Sequence, residues 1–96
     1  MAAEAVAKEL PLLNLTDALE LTILIARKDP RRHPRVAARW LSRYLEEADG
    51  VTIDEATMVA SCLSALAGDR HQDAALSLRS TAERATRLGR ARAAAH

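Results

Sequence analysis

Two histidines that stand among arginines are the first candidates for chemistry in this chain of 96 residues. His33 and His71 come near the starts of two predicted helices that share one end of the molecule, so their rings could approach each other. An imidazole can bind a metal ion, or an anion when it is protonated. The neighbouring arginines oppose a metal, and no Cys or carboxylate set at ligand spacing accompanies the pair. We therefore expect no metal, no cofactor and no catalytic residue, with an anion or metal site near His33 and His71 as the alternative.

The single cysteine is the other side chain with nucleophilic chemistry. Cys62 lies in a predicted helix without a His or Asn at a nearby offset, so we expect it to pack as a small hydrophobic side chain. The three glycines stand at predicted helix ends and form no phosphate-binding loop. One cysteine excludes an internal disulfide and fits a reducing compartment. With no signal peptide or bilayer-length apolar run in view, the sequence favours a cytoplasmic protein.

Basic residues cluster where two pairs of predicted helices meet. A guanidinium group presents a planar fork that suits phosphate or carboxylate. The net charge is only +1, so an argument for nucleic-acid binding has to be local. No aromatic residue is interleaved for base stacking, and no helix-turn-helix spacing is present. The possible anion-binding or partner-binding residues are Arg27, Lys28, Arg31, Arg32, Arg35 and Arg70.

The composition indicates a folded helical domain that positions these groups. Hydrophobic residues make up 49% of the chain and charged residues 28%, which argues against disorder, and Phe is absent. The core must therefore be built from Leu, Ile, Val and Ala. We predict one all-α domain over 1–96, an up-down bundle whose four main helices span about 14–28, 34–48, 53–67 and 70–90. A short lead-in helix and turn occupy 1–13, and 90–96 forms a frayed tail.

Local signals place the starts of the main helices. Asn14 or Thr16 can cap the first helix, and Pro34 suits the first position of the second. Thr52 and Glu55 form a capping box at the start of the third. Each of these three helices therefore has a physical reason to begin where the periodic apolar pattern begins.

The second and last main helices each show an apolar face. Trp40 and Tyr44, the only Trp and the only Tyr, fall on one seam and are predicted to be core anchors. That seam consists of Val36, Ala37, Trp40, Leu41, Tyr44, Leu45 and Ala48. The inward face of the last helix consists of Ala74, Ala75, Leu78, Ala82, Ala85 and Leu88.

The third main helix has no charged residue between Ala56 and Gly68. A helix that is uncharged all round is either central in a bundle or covered by a partner. Both readings stay open, because a helix is hard to surround fully in so short a chain. Leu24, on the charged side of the first helix, is either an ordinary exposed leucine or part of a contact. The possible interface residues are Leu24, Thr57, Met58, Ser61 and Ser64.

Antiparallel packing would sort the charges to opposite ends of the bundle. The basic cluster lies at one end, with few acids near it. The last helix points Arg84, Arg87, Arg90 and Arg92 toward the acidic end, where we expect these arginines to pair with Glu46 and Glu47. Within their own helix, these two acids can pair only with Arg43. The acidic end collects Asp17, Glu20, Glu46, Glu47, Asp49, Asp54 and Glu55.

Part of the chain resembles a tetratricopeptide repeat. Residues 66–78, LAGDRHQDAALSL, are similar to that family's turn into a second helix, and three residues have the spacing of that second helix: Ala18, Ile25 and Pro30. Trp40 and Tyr44 depart from the family's first-helix pattern, and no second period of about 34 residues is kept. The resemblance implies a protein-interaction module and identifies no binding residue.

These observations favour a non-catalytic helical module for protein–protein interaction or regulation that associates with itself. We expect a protein partner or a second copy of the chain, and no membrane. The alternative is an accessory protein that binds nucleic acid, in which the basic end contacts phosphates.

Overall fold

The computed structural model describes residues 13–48 and 50–95, with side chains as far as residue 88. Within these ranges the chain consists of helices and the short turns that connect them. No strand occurs in these ranges, and the predicted all-α bundle is confirmed. The lead-in helix predicted within 1–13 lies, but for its last residue, outside the described residues. The four helices are α1 (Leu15–Lys28), α2 (His33–Glu47), α3 (Ile53–Ala65) and α4 (His71–Ala95).

The helices begin at the predicted caps. The Asn14 side chain accepts a hydrogen bond from the backbone N–H of Asp17 at 2.8 Å, and the Thr52 hydroxyl accepts one from the N–H of Glu55 at 3.1 Å. Pro34 lies in the first turn of α2, where its missing N–H leaves no intrahelical bond unmade. These short-range signals were sufficient because they depend on neighbouring residues alone.

Two helix ends differ from the prediction. The helical conformation of α3 ends at Ala65, and the chain tightens into i to i+3 bonds, among them Gly68 N–H to the Ala65 carbonyl at 3.0 Å. The helix α4 runs through Gly89 to Ala95, beyond the expected end near residue 90. Alanine and arginine on both sides of Gly89 are strong helix formers, and one glycine costs a helix only about 1 kcal/mol.

Trp40 is the centre of the core, as predicted. Its side chain is 1% exposed, its indole Nε1–H donates to the Leu15 carbonyl at 3.0 Å, and its ring stacks on that of Tyr44 with centroids 5.5 Å apart. Two predicted inward positions are wrong: Leu45 is 44% exposed and Leu88 is 58% exposed. Leu45 lies about 140° around α2 from Trp40 at 100° per residue, so packing cannot reach it.

The helices α1 and α3 lie on opposite sides of the bundle. The helices α2 and α4 contact each other, and each also contacts α1 and α3, so α1 and α3 lie on opposite sides of that pair. The uncharged helix α3 is therefore not central, and within its helical span only Val59 and Leu63 are buried. One side of α3 remains beside α2 without a further helix of the described chain to cover it.

An ion pair that was not predicted joins α1 to α4. The Arg79 guanidinium donates two hydrogen bonds to the Glu20 carboxylate, from Nε at 2.7 Å and from Nη2 at 2.9 Å. These bonds, more than the charge of Arg79 alone, hold the pKa of Glu20 below its usual value, against the opposing effect of partial burial. None of the described helices is long and apolar enough to cross a membrane.

Candidate functional site

An open groove lies between α2 and α3. It has a volume of about 430 Å³ and includes the turn before α2. None of the residues that line it is Asp, Glu, Lys or Arg, and most are alanine, proline or leucine. The lining residues are Pro30, His33, Pro34, Ala37, Ala38, Leu41, Ala60, Leu63, Ser64 and Ala67.

His33 joins the two walls of the groove at one end. The ring is 4% exposed, and its Nε2 lies 2.6 Å from the Leu63 carbonyl oxygen, in the last turns of α3. A carbonyl oxygen only accepts, so Nε2–H is the donor of this bond. Nδ1 is buried and has no hydrogen-bond partner among the described residues. The Leu63 carbonyl also accepts from the Leu66 N–H at 3.3 Å, so His33 adds a second, shorter bond from a neighbouring helix at the C-terminal end of α3.

A metal site at the histidines gains no support from this geometry. The Nε2 atom of His33 is engaged with a backbone carbonyl, which leaves one ring nitrogen, itself buried. Within the described part of the chain, no three His, Cys, Asp or Glu side chains lie together so that they could hold a metal ion. Cys62, the one candidate nucleophile, is a half-buried free thiol in α3.

The groove continues along both helices as an uncharged surface. Leu45 lies four residues beyond Leu41, so it extends the α2 wall, and Ile53 and Thr57 extend the α3 wall from Ala60. Leu45 is 44% exposed and Ile53 is 85% exposed, so both add apolar surface that a partner could cover. We call this surface the α2–α3 strip and define it by two facing rows: Pro34, Ala38, Leu41 and Leu45 on α2, and Ile53, Thr57, Ala60, Ser64 and Ala67 on α3.

The predicted interface residues are divided by the fold. Thr57 and Ser64 belong to the α2–α3 strip, and Ser61 lies beside it on the outer side of α3. Met58, 44% exposed, faces farther round that helix, and Leu24, 45% exposed, lies on α1 across the bundle. The absence of charge in the third main helix therefore pointed to part of the strip, whereas the α2 half of the strip was missed.

The predicted basic residues are all exposed. Arg32 lies 3.4 Å from the Asp29 carboxylate, so it is partly neutralised. The other five residues make no ion pair in the part of the chain that the structure describes. Arg31 and Arg35 flank the end of the strip near Pro30, and Arg70 follows the turn that ends α3. The other members of the set, Arg27 and Lys28, belong to the last turn of α1.

Acidic side chains flank the opposite end of the strip. Glu46 on α2 and Asp54 on α3 are both exposed. Glu47 contacts Arg43 four residues earlier, as its spacing allowed. The expected partner on the last helix, Arg84, instead lines a small cavity of about 50 Å³ with Tyr44 and Glu55.

Burial and the Glu55 carboxylate both raise the pKa of Tyr44, while Arg84 lowers it by less. The ring of Tyr44 therefore stays in its neutral form well into the alkaline range. Arg90 and Arg92, which were expected to approach the acids as well, have side chains outside the described residues.

No protein-family model matches the chain, and neither a curated protein nor a solved structure is significantly similar to it. The partial likeness to a tetratricopeptide repeat is thus not accompanied by a family match.

Proposed function

We propose that this protein is a non-catalytic helical interaction module that receives a helix of a protein partner on the α2–α3 strip. The observation that carries the proposal is the uncharged groove of about 430 Å³ between α2 and α3. A groove of this kind, lined by apolar side chains, is the usual receptor for the apolar face of an amphipathic helix.

The exposed leucine and isoleucine supply the favourable free energy of binding. Transfer of a Leu or Ile side chain from water to an apolar contact contributes roughly 1.5–3 kcal/mol. Leu45 lies near the end of α2 and Ile53 at the start of α3, so both belong to the same end of the strip and a single partner helix could cover both. The alanines and Ser64 along the rest of the strip have short side chains, which allow a partner backbone to approach closely.

The dimensions of the strip suit one helix of ordinary length. From Ile53 to Ala67 the α3 row spans roughly 20 Å, at 1.5 Å per residue. A partner helix of about 14 residues has that length. The state of His33 supports a role without chemistry. It is the only titratable side chain that lines the groove, and it already donates to the Leu63 carbonyl. We also propose a cytoplasmic location, which the single free thiol of Cys62 supports.

Site-specific photo-crosslinking tests the proposal. The photoreactive residue p-benzoylphenylalanine replaces Ala38 in the groove or, as a matched control, Leu24 on the far side of the bundle, in the cells that naturally produce the protein. We expect a covalent adduct of defined mass from position 38 and none from position 24. Absence of an adduct at position 38, or the same adducts at both positions, would reject the strip as a docking surface.

A second candidate function rests on the basic end. Arg27 and Lys28 are exposed and make no ion pair among the described residues, so they could contact the phosphates of a nucleic acid. Affinity for a short mixed-sequence DNA duplex and for single-stranded RNA would then fall steeply as salt is raised. Replacing Arg27 or Lys28 by Ala should reduce the salt slope by about 1. Undetectable binding at low salt would rule out this function.

A further inference from the structure

We propose that the occupant of the α2–α3 strip is a second copy of this chain, packed strip against strip and antiparallel about a twofold axis. This inference rests on the proposed function, because it takes the strip to be a docking surface. It commits the protein to a closed dimer in which the two strips cover each other.

The placement of charge around the strip carries the inference. At the Pro30 end the flanking charges beside α2 are positive, with Arg31 and Arg35, while Asp69 adjoins Arg70 after α3 and offsets its charge. At the Ile53 end they are negative, with Glu46 on α2 and Asp54 on α3, and all six side chains are exposed. The strip between them is uncharged. A surface with opposite charges at its two ends is complementary to itself when it is turned end for end.

The two key side chains project from the same side of α2. Arg35 and Glu46 are eleven residues apart in the sequence, which is close to three turns at 3.6 residues per turn. The midpoint of the α2 row lies between Ala38 and Leu41. Glu46 is as far beyond that midpoint as Arg31 and Arg35 are, on average, before it. An end-for-end match therefore places Glu46 of the partner subunit over this pair of arginines.

Only one orientation of the twofold axis gives this match. An axis that lies in the interface and crosses the strip turns each end onto the opposite end, and it packs α2 on α2 and α3 on α3 in antiparallel fashion. An axis that runs along the strip would pack α2 on α3 of the partner subunit with the same ends together, so that Arg35 would lie near Arg70 of the partner subunit and Glu46 near Asp54 of the partner subunit. Like charges in register oppose association, so the charge pattern selects the crossing axis.

The α3 side of the strip agrees with the same arrangement. The crossing axis brings Asp54 toward Arg70 of the partner subunit, at the outer edge of the contact. Arg70 lies farther from the midpoint of the α3 row than Asp54 does, so its long side chain has to extend inward. The contact between Arg35 and Glu46 of the partner subunit is therefore the principal polar pair.

The size of the strip makes the dimer a weak one. A surface roughly 20 Å long and two helices wide covers on the order of 400 Å² on each chain, which is at the small end of specific interfaces. We therefore expect association at micromolar concentrations and above. Dissociation has to be measured over a wide range of protein concentration.

Analytical ultracentrifugation of the full chain and of charge variants tests the proposal. We expect the mass to rise with concentration from the 10.4 kDa of one chain to that of two chains and no further. Arg35→Glu and Glu46→Arg, each alone, should weaken the dimer about tenfold, because the twofold axis repeats every substitution. The double variant Arg35→Glu/Glu46→Arg should associate within about threefold of the original chain, because it restores opposite charges across the axis.

Two further variants serve as a negative control and as a disruption of the strip. Arg87→Glu changes an exposed arginine on α4, away from the strip, and should leave association unchanged. Ala60→Arg places a charge in the middle of the strip and should abolish it. Circular dichroism and thermal unfolding of every variant establish that the fold is retained.

Each contrary result overturns a defined part of the account. A chain that stays monomeric at the highest concentration rejects the second copy, and a double variant as weak as its parents rejects the antiparallel arrangement. Neither result affects an adduct of a different protein at position 38, which would uphold the proposed function alone. Without any adduct at position 38, the proposed function itself fails.

Discussion

His33 and Leu63 are joined by a hydrogen bond of 2.6 Å that ties the first turn of α2 to the last turns of α3. The bond closes one end of the groove and gives a carbonyl at the end of α3 a second donor, shorter than its 3.3 Å bond from the Leu66 N–H. It fixes the spacing of the two helices where the groove begins. The groove is therefore a built feature of the fold, held by a side chain that is buried and engaged.

Replacing His33 by Ala should destabilise the fold. The substitution removes a buried ring and leaves the Leu63 carbonyl with a longer bond to the Leu66 N–H at 3.3 Å. We expect a loss of about 1–3 kcal/mol in the free energy of unfolding, measured by urea denaturation. His71→Ala is the matched control, since that side chain is only half-buried, and it should change stability by less than about 0.5 kcal/mol. Equal effects of the two substitutions would contradict the capping role of His33.

The indole hydrogen bond of Trp40 gives a second prediction. Trp40→Phe keeps an aromatic ring against Tyr44 but removes the donor to the Leu15 carbonyl. Together with the smaller ring volume, the lost bond should cost about 1–3 kcal/mol in thermal or urea unfolding followed by circular dichroism. Tyr44→Phe keeps the stacked ring and should cost less. If Trp40→Phe proved neutral, the bond to Leu15 would not contribute to stability.

The ion pair between Glu20 and Arg79 predicts a dependence on pH. The pKa of Glu20 is lower in the folded chain than its ordinary value near 4.5. Its contribution to stability is therefore fully present well above pH 4.5 and is lost as the pH falls through the lower, folded pKa. Both side chains are about half exposed, so the contribution should not exceed about 1 kcal/mol.

The matched variant for this pair is Glu20→Gln. It should be less stable than the original chain at neutral pH and equally stable at a pH below the folded pKa, as measured by urea unfolding across that range. A difference between the two chains that does not change with pH would show that Glu20 acts through packing alone.

The exposed isoleucine gives a prediction that separates folding from association. Ile53→Ser alters a side chain that is 85% exposed in the single chain, so the unfolding free energy at low protein concentration should change by less than about 0.5 kcal/mol. The same substitution removes apolar area from the strip and should weaken association severalfold. Val59→Ser, in the core, should do the reverse and mainly destabilise the fold. A large loss of stability from Ile53→Ser would mean that Ile53 belongs to the core.

Local sequence signals predicted the elements of this fold better than the surface they create. Asn14, Thr52 and Pro34 act on their neighbours along the chain, and Trp40 and Tyr44 repeat at helical spacing, so caps and core anchors could be read directly. The bond between His33 and Leu63 and the pair Glu20–Arg79 join residues far apart in sequence. Such contacts depend on how the helices pack, which no short pattern encodes.

Only the α3 half of the α2–α3 strip could be predicted from the sequence. The uncharged run from Ala56 to Gly68 indicated a helix that is either central in the bundle or covered by a partner. The α2 half was not predicted, because the apolar period of α2 was interpreted as one seam centred on Trp40 and Leu45 was assigned to that seam. Pro34, Ala38 and Leu41 form a row at spacings of four and three, which could have signalled a second apolar face of α2.

Nuclear magnetic resonance of the ¹⁵N-labelled full chain, recorded as a concentration series, tests most directly the claim that the strip is covered by a second copy. Between about 20 µM and about 500 µM, a range suited to a small interface, the amide signals of Ala38, Leu41 and Ala60 should shift along one saturating curve. Those of Leu24 and its neighbours on the outer face of α1 should stay fixed. Signals that do not move at any concentration, or shifts confined to α1 and α4, would contradict the account.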